Sequence, residues 1–246
     1  CQGKGIWKKV VTYAIEYIKN NTDYKLVIGF PNYNNSYPGF VKMGWKTVGD
    51  MSNYVLVNNI SEFKSIFHQH NTLFRFALNA MVLQRAMCWI YYDRRYEIED
   101  SRSEDLIWSN PRPDVLECDH SIELLEWKEE YKKLKSVFVT IDGKTVASCL
   151  YGMSSYDGSE IIKIERLDWV AECESKRVLS CLLTYFAKKY SNVSFIRVWA
   201  QDGSKVALLL KHLLFVKSSH PNPFIVNNPE SVYASMPWSL SFYDLD

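Results

Sequence analysis

The residues of this chain best arranged to hold a ligand are Gly3-Lys4-Gly5-Ile6-Trp7. Glycines at positions 3 and 5 put no β-carbon between the backbone and a bound group. Their N–H groups, with those of Lys4, Ile6 and Trp7, can converge on a phosphate. The apolar residues that follow recur at helical spacing, so a helix starts here and adds the positive end of its dipole. Lys4, Lys8 and Lys9 add charge. A phosphate turn of this kind ordinarily follows a strand, whereas only Cys1 and Gln2 precede this one. The first residue is not Met, and the expectation is that opening strands lie before Cys1.

Several elements are needed to position that turn. Ile6, Val10, Val11, Ala14, Ile15 and Ile18 predict a helix over 5–20, stopped by Asn20-Asn21. Residues 25–30 form a short apolar run that suits a buried strand. Pro31 to Gly39 is a polar loop rich in turn residues. A short helix around Phe40–Met43 ends at Gly44, and 45–57 reads as one or two strands with a bend at Gly49-Asp50.

Residues 61–70 and 72–94 read as mostly helical, 97–104 are charged, and Asn110-Pro111-Arg112-Pro113 breaks any element. A boundary is therefore expected between 95 and 113. The later half predicts a helix over 122–135, strands at 136–141 and 144–153 joined by Asp142-Gly143, and a strand at 161–170. A helix over 176–190, a strand at 195–200 and a helix over 205–214 follow, with strands beginning near 215 and 238.

Residues 5–57 run helix, strand, helix, strand, and residues 176–242 repeat that order. The repeat predicts a diverged duplication whose first copy lacks its opening strands. Coincidence within one α/β domain is the other reading.

The chain has 246 residues, 47% of them hydrophobic, so a packed core is affordable and global disorder is excluded. The 29 basic residues balance 28 acidic ones, so charge does not advertise nucleic acid or an anionic membrane. Six cysteines occur without a C-x-x-C pair, and several sit in apolar runs, which reads as reduced thiols in a cytoplasmic protein. His68-Gln69-His70 places two imidazoles at i and i+2, which face apart on a helix, so no metal site is expected. No nucleophile elbow, P-loop, zincin or dinucleotide fingerprint occurs.

Gly3-Lys4-Gly5-Ile6 followed by an amphipathic helix resembles motif A of the GNAT N-acetyltransferase superfamily, which cradles the pyrophosphate of acetyl-CoA. Gly3 and Gly5 match its two small positions, and its leading Gln or Arg would lie one residue before Cys1. Gly29-Phe30-Pro31-Asn32, Asn35-Ser36-Tyr37-Pro38-Gly39-Phe40 and Lys42-Met43-Gly44-Trp45 resemble motif B in order and spacing. The later half resembles a GNAT domain in element order only. It has no Gly-x-Gly beside Glu165 to Lys176, and Lys211-His212-Leu213-Leu214-Phe215 stands where Lys-Leu-Gly-Phe is usual.

The resemblance implies an α/β (α+β) fold: mixed central sheets flanked by helices, in two GNAT-like units of which the first is incomplete, as in bacterial tandem-GNAT proteins. It divides the chain into 1–57, the later half of a GNAT domain with the cofactor turn; 58–113, a mainly helical connector; and 114–246, a second, degenerate GNAT-like domain. It implies an acetyl-CoA-dependent N-acyltransferase in which an amine attacks the thioester directly. Gly3, Lys4, Gly5, Ile6 and Trp7 would hold the pyrophosphate, and Asn32, Asn35 and Ser36 the pantetheine arm. The family's motif B Tyr, which protonates the departing thiolate, aligns with Phe40; Tyr37 is the candidate substitute, with a packing or capping role as its default. Glu165, Asp168 and Glu172 are carboxylates near the later central strand, with a structural role as the default. The second copy would shape the site of a small-molecule or peptide amine acceptor. No nucleic acid or membrane partner is implied, and an oligomer is compatible. Two other readings stay open: a non-catalytic acyl-CoA-binding or regulatory GNAT-fold protein, and a Fem-like aminoacyl transferase.

Overall fold

The computed structural model describes residues 5–60, 71–101, 116–117, 122–156, 158–170, 173–219, 221–228, 230–236 and 238–240. Gly3, Lys4, Glu172, the helix expected over 61–70 and the breaker at 110–113 lie outside the described residues. The chain forms two units. One holds residues 1–51 and 221–237, the other 52–220 and 238–246.

In the first unit, helix α1 spans Ile6–Asn21. Its end is held locally. Asn21 Nδ2 donates to the Tyr17 carbonyl at 2.7 Å, and Thr22 Oγ1 donates to the Ile18 carbonyl at 2.8 Å. Both bonds add to the carbonyls of the last turn, where the Ile18 carbonyl also accepts from Thr22 N at 2.9 Å. Val11, Ile15 and Ile18 are half-buried, while Ile6, Val10 and Ala14 of the expected apolar face are exposed.

The strand expected over 25–30 shrinks to β1, Ile28–Gly29. The cause is its neighbour. Before Ile28 the ladder gives way to Asn227, whose Oδ1 accepts from Val27 N at 2.8 Å while its own N–H donates to the Val27 carbonyl at 3.1 Å. After Gly29, Pro31 cannot donate.

Helix α2, Tyr37–Lys42, starts with Pro38 in its first turn. It ends in a Schellman motif: Gly44, at φ +87°, donates to the Val41 carbonyl at 3.0 Å, and Trp45 N donates to the Phe40 carbonyl at 3.2 Å. One strand follows, β2, Lys46–Val57, rather than two. The bend expected at Gly49-Asp50 is a slip at Val48: Phe224 faces Gly49, but Ile225 faces Thr47. The first half of β2 belongs to this unit and pairs antiparallel with a strand from far along the chain, Asn222–Val226. That strand also pairs antiparallel with β1, so the local order is β1, 222–226, β2. Phe224, Ile225 and Val226 are fully buried.

In the second unit, helix α3 (Asn71–Tyr91) precedes β3 (Tyr96–Ser101) and a short β4 (Leu116–Glu117). Helix α4 (Ile122–Lys132) leads into β5 (Lys135–Ile141), β6 (Lys144–Tyr156) and β7 (Ser159–Trp169). Helix α5 (Ser175–Lys189), β8 (Phe195–Gln201), helix α6 (Lys205–His212) and β9 (Val216–Lys217) follow. The strand at 222–226 is then β10, and β11 (Trp238–Ser239) pairs parallel with β4. The second half of β2 lies beside β8, and the order continues β7, β6, β5, β3. All these pairs beyond β8 are antiparallel except β7 with β8. Asp142 at φ +50° and Gly143 at φ +72° make the expected tight hairpin turn.

The charge of residues 97–104 conceals β3. Tyr96 is buried and Ile98 packs against the core, while Glu97 and Glu99 alternate outward. The core lies between the sheet and α5, whose Val178, Leu179, Leu182, Leu183 and Phe186 meet Val137, Val139, Cys149, Ile162 and Ile164. Helix α6 is capped by Ser204, whose Oγ accepts from Ala207 N at 3.1 Å. No described helix is long and apolar enough to cross a membrane.

Candidate functional site

Helix α1 starts without a side-chain cap. Gly5 is its N-cap, in the left-handed region at φ +65°, and no acidic residue occupies the first turn. A β-carbon added to Gly5 would meet no atom of the described residues within 4 Å, so among them nothing fills the space beside it. Lys8 and Lys9 are exposed on that turn. The arrangement offers backbone donors, a helix dipole and nearby positive charge to an anion.

Trp7 holds this turn against α2. Its ring meets Phe40 edge-on at 4.8 Å, and Phe40 meets Trp45 at 4.8 Å. Gly39 makes this approach possible, because a β-carbon there would lie 2.6 Å from Trp7 Cζ3. The Trp7 side chain therefore packs, leaving its backbone N–H as the group that can face a ligand. Ile6 is exposed.

The polar loop closes on itself. Ser36 Oγ accepts from Asn32 N at 3.0 Å, Asn32 Oδ1 accepts from Asn34 N at 3.0 Å, and the Asn32 carbonyl accepts from Ser36 N at 3.1 Å. Asn32 and Ser36 thus shape the loop, and Asn35 is exposed at its tip. Tyr37 follows at the head of α2. Its hydroxyl lies 2.9 Å from Thr47 Oγ1 on β2, and its ring lies against Tyr33 at 4.9 Å. Phe40, wedged between two tryptophans, has no proton to give.

A second feature lies in the other unit. Strands β7 and β8 run parallel from Ile161 opposite Phe195 to Ile164 opposite Val198, and the pairing stops there although both strands continue. At the same point β7 bulges. Arg166 faces Leu150 and Ile164 faces Tyr151, which leaves Glu165 opposite no residue. Glu165 is buried, with Oε1 3.0 Å from Lys163 Nζ and Oε2 3.8 Å from Lys132 Nζ. Arg166 grips Asp168 through Nε at 2.5 Å and Nη2 at 3.2 Å. Glu165 and Asp168 are thus ion-paired groups. No spacing in the sequence foretold the bulge, because it is a property of register between two strands.

The helix after this parting, α5, has Glu174 as its N-cap and no glycine turn; Arg177 Nε donates to Glu174 Oε2 at 2.9 Å. A carboxylate at that end repels a phosphate where Gly5 leaves the first unit open. Among the described residues no group of three or more His, Cys, Asp or Glu could hold a metal.

The fold as a whole is similar to that of several solved structures. A GCN5-related N-acetyltransferase from Anabaena variabilis matches with TM-score 0.53 and 10% identity, over 92% of this chain and 51% of that one. The chain has the GNAT fold. A conserved protein of unknown function from Enterococcus faecalis, described as a probable N-acyltransferase, matches with TM-score 0.57 and 12% identity over 92% of this chain and 50% of that one. A tandem GNAT protein from the clavulanic acid biosynthesis pathway matches with TM-score 0.51 and 10% identity, over 92% and 71%. The chain spans about half the length of the Anabaena and Enterococcus proteins. No protein-family model matches the sequence, and neither does any curated protein.

Proposed function

We propose that this GNAT-fold protein is an acetyl-CoA-dependent N-acyltransferase acting on a small-molecule or peptide amine. The observation that carries the reading is the start of α1, where Gly5 at φ +65° leaves the first amides uncapped and, among the described residues, nothing fills the space beside it. The amides of Gly3, Lys4, Gly5, Ile6 and Trp7 would bind the pyrophosphate of acetyl-CoA. Asn35, exposed at the tip of the polar loop, would bond the pantetheine arm together with Asn32 and Ser36. When bound, acetyl-CoA supplies an acetyl group activated as a thioester.

The chain's own contribution is to orient and to hold a proton. Trp7, Gly39 and Phe40 fix α1 against α2, so the turn and Tyr37 keep one geometry. Tyr37 Oη is the proton donor we assign for the departing thiolate; Thr47 Oγ1 at 2.9 Å orients it. Calorimetric titration of the protein with acetyl-CoA, followed by a thiol-release assay over an amine panel, tests the reading. Saturable binding with turnover that falls in Tyr37→Phe supports it, and absence of binding overturns it.

The non-catalytic alternative is favoured by one observation, the packing of Phe40 between Trp7 and Trp45 where a proton-donating Tyr is usual. Tight acetyl-CoA binding with no turnover on any amine would establish that reading instead.

A further inference from the structure

A cavity of about 730 Å³ opens in the second unit, bounded by α3, the far half of α5, the end of β2 and the start of β8. It lies toward the opposite end of α5 and β8 from the parting of β7 and β8, and nothing in the acetyl-transfer reading uses it. Its floor is buried: Leu56, Asn58, Gln84, Cys88, Leu183 and Ile196. Its rim carries Arg85, Arg94 and Lys188 with the aromatic rings of Trp89 and Tyr92. No carboxylate is found among its described lining residues, and among the described residues none of the three cations makes an ion pair.

We infer that this cavity binds a small amphipathic organic anion, with its apolar body on the floor and its acid group among Arg85, Arg94 and Lys188. Three arguments converge. Cations without carboxylate partners among the described residues, set around a concave apolar floor, raise the local concentration of anions. The floor is apolar apart from two amides, the usual composition of a small-molecule site. One of those amides is underused: Gln84 is 5% exposed, and its only hydrogen bond among the described residues runs from Nε2 to Cys88 Sγ at 3.0 Å. Sulfur is a weak partner, and a half-turn of the amide exchanges its two ends, so Gln84 has hydrogen-bonding capacity to spare at the floor. The other amide is satisfied, since Asn58 Nδ2 donates to the carbonyls of Tyr190 and Val193 at 3.0 and 2.9 Å.

The rim is set in advance. Arg85 Nη2 donates to the Asn58 carbonyl at 3.1 Å. Arg94 sits in a turn pinned by Asp93, which receives the Arg95 guanidinium and backbone N–H and also Arg177 Nη1 at 2.5 Å. Those bonds hold the Asp93 carboxyl far below the ordinary range, so the pin persists through any physiological pH. Burial pushes the Cys88 thiol up to about 11, so the floor carries no charge.

The test is a calorimetric comparison of decanoate, decanol, decyltrimethylammonium and acetate on the intact protein. Decanoate should bind, acetate lacks the apolar body, and the neutral and cationic chains lack the charge match. Arg94→Gln and Lys188→Gln should each weaken decanoate by about fivefold, and rising salt should weaken it further. Ala187→Phe, which fills the cavity, should abolish binding; circular dichroism checks that each variant is folded. Equal binding of decanoate and decanol, affinity unchanged in both rim variants, or no decanoate binding by the folded wild type would each overturn the inference. Acetyl-CoA binding should be the same in all these variants.

Discussion

Removing one hydroxyl from the Asp202 cluster should destabilise the second unit measurably, and by an amount that depends on pH. Tyr54 lies on β2 with no exposed surface, and its Oη donates to Asp202 Oδ1 at 2.9 Å. Ser52 Oγ donates to Oδ2 at 3.1 Å and Lys217 Nζ at 2.5 Å. The carboxylate thus ties β2, the turn after β8 and β9 together. A hydrogen bond to a charged group contributes about 1.5–3 kcal/mol. In Tyr54→Phe the carboxylate keeps two donors, so the expected loss is at the lower end, about 1.5 kcal/mol. In Asp202→Ala the buried phenol loses its carboxylate acceptor, and the expected loss rises to about 3 kcal/mol.

The pH dependence follows from the direction of the Asp202 shift. Burial raises the carboxyl's pKa, but the bonds from Lys217, Tyr54 and Ser52 outweigh it and leave the pKa lowered. A lowered carboxyl pKa contributes stability above the unfolded value, about 4, and loses it as pH falls through the folded value. Urea unfolding at pH 7 and in steps below pH 4 is the assay. The gap between wild type and Asp202→Asn should narrow as pH falls. A Tyr54→Phe protein as stable as wild type at pH 7, or a gap to Asp202→Asn that ignores pH, would refute the reasoning.

Lys163→Met should cost about 3 kcal/mol, because among the described residues it leaves the buried Glu165 with Lys132 at 3.8 Å as its ion-pair partner, and adding Glu165→Gln should recover part of the loss in urea unfolding. Gly39→Ala should push the Trp7 ring from its seat, with a helix-propensity gain of about 1 kcal/mol against an overpacking cost of about 1–3 kcal/mol; near-zero net stability but altered tryptophan emission is the expected reading. Among the described cysteines, iodoacetamide followed by peptide mass spectrometry should label Cys173 first. Cys88, Cys149 and Cys181 are buried, and burial raises the thiol pKa of each.

The periodic elements were legible from residue order alone: α1, α5, β8 and the Asp142-Gly143 hairpin stand close to where their patterns predict them. The GNAT fold expected from the glycine turn and the Asn-bearing loop is the fold observed. Two strands were hidden for different reasons. In β3 the alternation of Tyr96 and Ile98 with Glu97 and Glu99 was masked by charge. In β10, Pro223 argues against a strand, yet Phe224 pairs with β2, and Ile225 and Val226 pair on both sides, with segments some 170 residues or more away in sequence. No local pattern encodes a partner so distant. The loop at 31–39 was recognisable by composition, but not that Asn32 and Ser36 would satisfy each other and leave Asn35 exposed. The cavity beside Gln84 could not be foreseen either, since its walls come from four elements of the second unit.

The central claim is that the uncapped glycine start of α1 holds the pyrophosphate of acetyl-CoA. The direct measurement is calorimetric affinity for acetyl-CoA in wild type, Gly5→Val and Gly143→Val. Both glycines sit at positive φ, +65° and +72°, so each substitution carries a similar backbone strain of about 1–2 kcal/mol. Only the substitution at Gly5 would place a side chain over the first amides of α1. The account predicts that wild type and Gly143→Val bind acetyl-CoA alike while Gly5→Val loses binding. Equal affinity in all three proteins, or no binding by the wild type, would contradict it.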